Sequence, residues 1–216
     1  MRNRKFFFIV FEGIEGSGKS YQSQKLYAAI KKIGLPVILT REPGGTKSAE
    51  KIREVILKDY FHLDSKEKFD KYTDTLLYLA ARNEHIQNKI KPAISKKTIV
   101  ICDRFIDSTF AYQVYGKGVN KNFVDLVHKY ILGNIKPDMT FILKVNISKA
   151  LERLKKRVRK KNRYDKFSKN FYIKAQKAFI KIAKKNKKKY YIFDNSEDSK
   201  NLEKSIFKLV RSKLIK

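Results

Sequence analysis

A chain of 216 residues has room for one ordinary core with an inserted lid and too little for a multidomain assembly, and a 42% hydrophobic share excludes wholesale disorder. One cysteine, Cys102, excludes an internal disulfide framework and any zinc site built on paired cysteines, which fits a reducing cytoplasm. The 51 Lys and Arg against 21 Asp and Glu give a formal charge of +30, and from Lys144 onward 26 basic residues face only 6 acidic ones. Only 11 of the cations are Arg; the rest are Lys, which solvates a surface without the planar fork that reads phosphates or bases. An A/T-biased coding sequence accounts for this Lys-, Ile-, Asn- and Phe-rich composition more simply than a dedicated DNA-binding surface, so no specific nucleic-acid partner is expected.

Short apolar runs alternate with longer helical patterns, the order of an α/β fold with a mostly parallel sheet. The first run, Phe6 to Glu12, is continuously apolar through Phe11, as a strand covered on both faces should be. Arg2, Arg4 and Lys5 before it imitate a signal peptide, but its apolar part, Phe6 to Phe11, is six residues and ends at Glu12, short of the ~7 to 15 residues of an export signal. Nowhere do ~18 uncharged apolar residues follow one another, so no membrane-spanning helix is expected and the protein is placed in the cytoplasm. Directly after the first strand, Gly13-Ile14-Glu15-Gly16-Ser17-Gly18-Lys19-Ser20 completes the pattern G-x-x-x-x-G-K-[ST]. Its glycines let successive N–H groups turn inward onto a phosphate, and the following helix, Gly18 to Ile33, adds its positive end. Lys19 can reach the β- and γ-phosphates of a nucleotide, and the Ser20 hydroxyl can ligate Mg²⁺. Chance produces this pattern in under ~1% of chains of this length. Glu15 is unexpected there: a carboxylate beside polyphosphate is repelled unless it faces a sugar hydroxyl or hydrated Mg²⁺, or is simply a solvated loop charge.

The helix stops at Gly34-Leu35-Pro36, and a second strand, Val37 to Thr40, leads into Thr40-Arg41-Glu42-Pro43-Gly44-Gly45-Thr46, whose opposite charges are also readable as a surface pair worth little. Helices follow over Thr46 to Leu57 and over Asp70 to Lys91, the latter ending before Pro92. In that second helix a buried stripe of Leu76, Leu79, Ile86 and Ile90 leaves Tyr78 and Arg82, one turn apart, at its rim. Tyr78 is equally readable as a core-edge aromatic. The third strand, Thr98 to Asp103, holds Cys102 as a small buried hydrophobe and runs into Asp103-Arg104-Phe105-Ile106-Asp107-Ser108-Thr109-Phe110-Ala111-Tyr112-Gln113. Beyond it come a helix over Asn120 to Leu132, a fourth strand over Met139 to Val145, a helix over Ser148 to Lys160, a helix over Ser168 to Lys188, a fifth strand over Tyr190 to Asp194 and a last helix over Asn201 to Leu214. The charged stretch at about 155–170 reads as a mobile lid within a single domain spanning 1–216. His62, His85 and His128 lack metal-ligand spacing and read as structural or solvated.

No Asn-Lys-x-Asp string occurs, which argues against a Ras-type GTPase, and the length argues against a translocating ATPase. A small kinase with an acceptor pocket at the strand ends is the better reading. The cradle, Arg41-Glu42-Pro43-Gly44-Gly45, Ala80-Ala81-Arg82, Asp103-Arg104-Phe105 with Tyr112-Gln113, and Lys136-Pro137-Asp138 together resemble the thymidylate kinase family, over almost the whole chain. The resemblance implies a three-layer P-loop kinase fold, a five-stranded parallel sheet flanked by helices with a helical lid. It further implies transfer of the γ-phosphate of ATP to dTMP with Mg²⁺, for dTTP and DNA synthesis, by a homodimer. By the same resemblance Tyr78 stacks on thymine where bacterial members usually have Phe, and Arg82 and Gln113 bond the base edge with Thr109 nearby. Tyr112 sits against the sugar 2′ position, Arg53 and Arg104 hold the dTMP phosphate, and Glu15 accepts from the 3′-hydroxyl. Asp103 orients hydrated Mg²⁺, and Glu42 lies near metal and acceptor.

An ionised phosphate monoester needs no general base, so catalysis is positioning plus charge stabilisation. The cradle has no arginine at its variable positions, whereas Arg153, Arg157, Arg159 and Arg163 stand near the lid. The resemblance points to Arg163, Arg159 or Arg157 as the residue that caps the transferring phosphoryl, with Asn162 where an Asp is common. Competing readings are a kinase for another nucleotide, which Tyr78, Tyr112 and Gln113 oppose, and a nucleic-acid-binding P-loop protein using the basic C-terminal third.

Overall fold

In the computed structural model the described residues are 6–57, 68–156, 167–197 and 200–214. Five strands, β1 (Phe8–Glu12), β2 (Val37–Arg41), β3 (Ile99–Asp103), β4 (Met139–Lys144) and β5 (Tyr190–Asp194), form one parallel sheet in the order β2-β3-β1-β4-β5. This is the α/β architecture the sequence implies. The three central strands are apolar on both faces because both are covered. Ile9, Phe11, Ile101 and Phe141 pack on Leu26 and Ile30 of α1 (Lys19–Lys32) and on Ile206 and Val210 of α10 (Lys200–Leu214). Phe8, Val10, Val100 and Cys102 alternate with them and meet Ile86, Ile90 and Phe105 on the opposite face. Ile142 joins that second layer through Ala175 and Phe179 of α9 (Lys169–Lys185). Burial of so many large side chains, at about 1.5 to 3 kcal/mol each, supplies the main drive for the three-layer arrangement.

Connections leave the adjacent strands β1 and β3 in opposite directions, so a crevice opens at their carboxyl ends, where such sheets bind ligands. The register Phe11 beside Asp103 fixes which side chains reach that crevice.

Two helical expectations are corrected. The helix expected to stop before Pro92 runs as α3 (Lys71–His85), a π turn over Ile86–Ile90 and α4 (Lys91–Ser95). Proline at the first turn of a helix gives up only an N–H that would be orphaned there, so the chain continues through it. The inward stripe of α3 and the π turn is Thr75, Leu79, Arg82 and Ile86, which leaves Leu76 49% exposed and puts Arg82, at 3% exposure, inside the stripe instead of at its rim. This wall faces a polar site, so polar side chains occupy it. The second departure is a helix not expected at all, α5 (Ile106–Thr109), a π turn (Phe110–Val114) and α6 (Tyr115–Lys117). Its N-terminus has no local side-chain cap; the Glu12 carboxylate, from the end of β1, accepts from the N–H groups of Phe105 (2.8 Å) and Ser108 (3.2 Å). A cap 93 residues away leaves no local signature.

The remaining helices are α2 (Lys47–Leu57), α7 (Lys121–Leu132) and α8 (Ile147–Lys155). Asp70, Asn120 and Ser168 cap α3, α7 and α9 through their side chains, at the starts the sequence marks. Of the expected lid, 157–166 and with them Arg157, Arg159 and Arg163 lie outside the described residues; so does His62.

Candidate active site

The loop between β1 and α1 curls because three of its residues adopt backbone angles closed to side chains. Gly13, Gly16 and Gly18 have φ of +139°, +76° and +86°. A Cβ on Gly16 would meet the Ala150 carbonyl oxygen at 2.5 Å, and one on Gly18 would meet the Asn195 amide. The loop is therefore pressed between α8 and the end of β5. Asn195 Nδ2 donates to Ser17 O (2.8 Å), and Arg153 donates to Gly16 O (3.1 Å) and Asn195 O (2.9 Å). Arg153, one of the arginines the sequence groups near the lid, thus bolts α8 to the cradle. Lys19 Nζ donates to Ile14 O at 2.8 Å, and burial, with Arg104 adding repulsion, pushes its ammonium down to about 8.

Beside the cradle, Arg104 sits at the end of β3 with φ +72°. It donates to Gly13 O (2.8 Å), to Ser108 Oγ (3.1 Å) and to Glu15 Oε1 (2.7 Å), while the Tyr112 hydroxyl donates to Glu15 Oε2 (2.5 Å). Burial alone would raise the Glu15 carboxyl, but Arg104, Lys19 and the Tyr112 hydroxyl hold it below the usual carboxylate range. Ser20 Oγ donates to Asp103 Oδ2 at 2.5 Å. The other Asp103 oxygen is buried and has no hydrogen-bond partner. A hydroxyl and a carboxylate with a spare buried oxygen are hard oxygen donors of the kind Mg²⁺ takes, usually with waters and substrate phosphates completing its shell.

A third group lies behind. Arg82 donates from Nε to Glu42 Oε2 (2.7 Å), from one terminal nitrogen to Thr109 Oγ1 (2.8 Å) and His128 Nε2 (2.7 Å), and from the other to Phe105 O (2.8 Å). Four of its five N–H groups are thus engaged. Glu42, beside a cis bond to Pro43, spends its second oxygen on His85 Nδ1 (2.9 Å), whose Nε2 meets Thr40 Oγ1 (2.7 Å). His85 and His128 are accordingly structural, buried partners. Arg41, readable from sequence as Glu42's partner, instead pairs with Glu50 at 3.0 Å. Because a guanidinium only donates, His128 Nε2 must accept, and burial with the adjacent Arg82 pushes its pKa down to about 3.

That depression has a sign. His128 binds a proton near its ordinary value of 6.5 when unfolded but not until about pH 3 when folded, so its contribution to stability falls as pH drops from 6.5 toward 3. The slope approaches 1.4 kcal/mol per pH unit. His128→Gln, whose amide oxygen still accepts from Arg82, removes it. Urea titrations at pH 7 and pH 5 check this: the stability lost between them shrinks by about 1 to 2 kcal/mol in the variant, and an unchanged difference would refute the assignment.

These groups line one cavity of about 470 Å³. It contains Lys19 and Ser20 from the cradle, Asp103, and all nine residues expected around the acceptor, from Glu15 and Glu42 through Arg53, Tyr78, Arg82, Arg104, Thr109, Tyr112 and Gln113. Arg53 is steadied by Pro43 O at 2.6 Å. Gln113 is buried, with a side-chain nitrogen that has no partner. Sequence reasoning missed Glu12, which also accepts from Ser108 Oγ (2.6 Å), and Asp107, which accepts from Tyr190 OH (2.8 Å). Burial raises both carboxyls. A carboxylate closing a wholly buried apolar strand was a readable signal for Glu12; Asn195 and His128 had none.

The arrangement can hold a polyphosphate against a second, smaller anionic ligand. The sequence model of the thymidylate kinase family matches residues 11–206. The thymidylate kinase of Mycoplasma capricolum is 39% identical over 209 residues, covering 96% of this chain and 95% of its own, and that of a Sulfurihydrogenibium species is 38% identical over 97% and 98%. The crystal structure of thymidylate kinase from Ehrlichia chaffeensis superposes with a TM-score of 0.73 at 33% identity, over 95% of this chain and 99% of that one. With the family model spanning most of its length and relatives above one-third identity along nearly all of it, this chain belongs to the thymidylate kinase family.

Proposed function

We propose that this chain transfers the γ-phosphate of ATP to dTMP, giving ADP and dTDP for dTTP and DNA synthesis. The observation that carries the reading is the single cavity in which a phosphate cradle and the full acceptor set meet. A dTMP phosphate oxygen forms the new bond to the γ-phosphorus while the bond to the β-phosphate oxygen breaks, with no phospho-enzyme and no general base. Lys19 and the loop N–H groups stabilise charge on the transferring group; Arg104 and Arg53 hold the acceptor phosphate. The lid arginines Arg163, Arg159 and Arg157 remain candidates for capping the transferring phosphoryl. Ser20 and Asp103 would hold Mg²⁺, which would supply neutralisation of phosphate charge.

Tyr78 supplies a stacking face for the base, and the unpartnered Gln113 nitrogen donates to one of its carbonyls. Arg82, with one N–H left, adds at most a single bond and otherwise fixes Thr109. Tyr112, donating to Glu15, sits where a 2′-hydroxyl would intrude, and Glu15 accepts from the 3′-hydroxyl. Glu42 acts through Arg82. We further propose a cytoplasmic homodimer through α3 and α7. Tyr72, Leu76, Leu126 and Tyr130 are exposed on these helices, which touch through the Tyr72–Phe123 ring pair. No helix among the described residues is long and apolar enough to cross a membrane.

Assaying ADP release with ATP and Mg²⁺ against dTMP, dUMP, UMP, dGMP, AMP and thymidine tests the reading. We expect dTMP to be preferred and thymidine inert; preference for another nucleotide overturns the roles of Tyr78, Tyr112 and Gln113. In the same assay Gln113→Ala raises KM for dTMP about 5- to 100-fold, the loss of one buried hydrogen bond, and leaves KM for ATP within about twofold.

A further inference from the structure

Because all five strands are parallel, every connection entering a strand arrives at one end of the sheet, opposite the cavity. Three of these entering turns carry exposed lysines: Lys96 and Lys97 before β3, Lys136 before β4, and Lys187, Lys188 and Lys189 before β5. The last turns of α1, α9 and α10 return to the same end, and each adds a basic pair. The one carboxylate in the entering turns that lead to β2 through β5 is Asp138, committed to the Phe8 N–H at 2.9 Å. Lys189 Nζ donates to Pro137 O (3.2 Å), and no carboxylate among the described residues pairs with Lys187 or Lys188. Residues 166–193 contain no Asp or Glu.

Helix C-termini favour cations, and five helices end here. At about −0.5 each they call for some two or three positive charges, far fewer than the twelve present. Composition alone does not explain the placement either, since at the cavity end Lys19, Arg41, Arg53, Arg82 and Arg104 are matched by Glu12, Glu15, Glu42, Asp103 and Asp107. Five strands about 4.8 Å apart make a face roughly 20 Å wide, the span of on the order of ten duplex phosphates.

We propose that this lysine-rich end of the sheet is a docking face for nucleic acid, held through the phosphate backbone without sequence preference. Lysine point charges with no arginine fork in the turns suit backbone contact and carry no base readout. An anionic membrane is the weaker fit, because stable anchoring needs a second, apolar signal and, among the described residues, the entering turns expose one large apolar side chain, Ile33. The cavity opens at the other end, so a docked enzyme still turns over.

The test is fluorescence anisotropy of a labelled random-sequence duplex of about 20 base pairs, titrated at several salt concentrations. We expect log K to fall linearly with log salt. The triple change Lys187→Gln, Lys188→Gln, Lys189→Gln reduces that slope by about 2.7 and weakens binding more than roughly tenfold at the lowest salt. The triple change Lys169→Gln, Lys174→Gln, Lys177→Gln, which removes equal charge from the cavity half of α9, leaves binding within about twofold. Unchanged ADP release shows that both variants fold. Equal losses in the two triple variants, or no loss in either, overturn the face; tighter binding to phosphatidylserine vesicles than to duplex overturns the choice of polymer. In the wild-type chain the duplex must also protect Lys187, Lys188 and Lys189 from acetylation, and equal labelling with and without it sinks the proposal.

Discussion

Glu42→Ala lowers the stability of the protein by about 3 to 5 kcal/mol, the cost of leaving a buried charge without its partner. Arg82 is 3% exposed, and apart from Glu42 the groups it touches, the Thr109 hydroxyl, the Phe105 carbonyl and the His128 ring, are neutral. Burial alone would raise the Glu42 carboxyl, yet Arg82 and His85 hold it below the usual range, so Glu42 faces the guanidinium as a carboxylate. Removing the carboxylate also strands the His85 Nδ1–H donor. Glu42→Gln keeps one acceptor for Arg82 and should lose roughly half as much. Denaturant titration of both variants, with KM for dTMP measured alongside, checks the argument. Arg82 fixes Thr109 in the cavity wall, so KM for dTMP rises with the loss of stability while KM for ATP moves less. An alanine variant within about 1 kcal/mol of the parent would mean that water replaces the carboxylate.

What was legible in the sequence follows from the range of the interactions concerned. The five strands are written locally, as apolar runs with no need of a partner to be recognised, and the cradle is written as fixed glycine spacing before a helix. The acceptor residues were placed by resemblance and fall on one cavity. Connections that exist only after folding could not be read. Glu12 caps α5 across 93 positions, and without that cap the segment after Asp103 shows no helix start. Arg82 was read as a rim residue because an arginine on an apolar stripe is ordinarily at its edge; its burial depends on Glu42, Thr109 and His128 arriving from three other segments. The same holds for Arg153, whose function as a bolt to Gly16 and Asn195 is invisible until α8 and the end of β5 lie beside the loop.

Lys19→Met lowers kcat by about 10² to 10³, the loss of one preorganised donor at about 2.7 to 4 kcal/mol, and does so without unfolding the chain. The reason lies in the resting state of the residue. Lys19 is 6% exposed and rests against the Ile14 carbonyl, and burial with the nearby Arg104 lowers its pKa to about 8, so its charge is a cost that the fold carries. A methionine of similar length keeps the packing and removes that cost, so stability holds or rises while turnover collapses. The lowered pKa also predicts a pH profile. The ammonium is lost above about pH 8 in the free enzyme, so kcat/KM for ATP falls there by up to tenfold per unit. Bound ATP phosphates favour the charged form and push the same pKa back up, so kcat at saturating ATP stays level over that range. In Lys19→Met the alkaline fall in kcat/KM disappears along with most of the rate. If the variant keeps a fall centred near pH 8, the titrating group is another one and Lys19 is charged throughout; if turnover is unchanged, the ammonium that rests on Ile14 does not reach the phosphates.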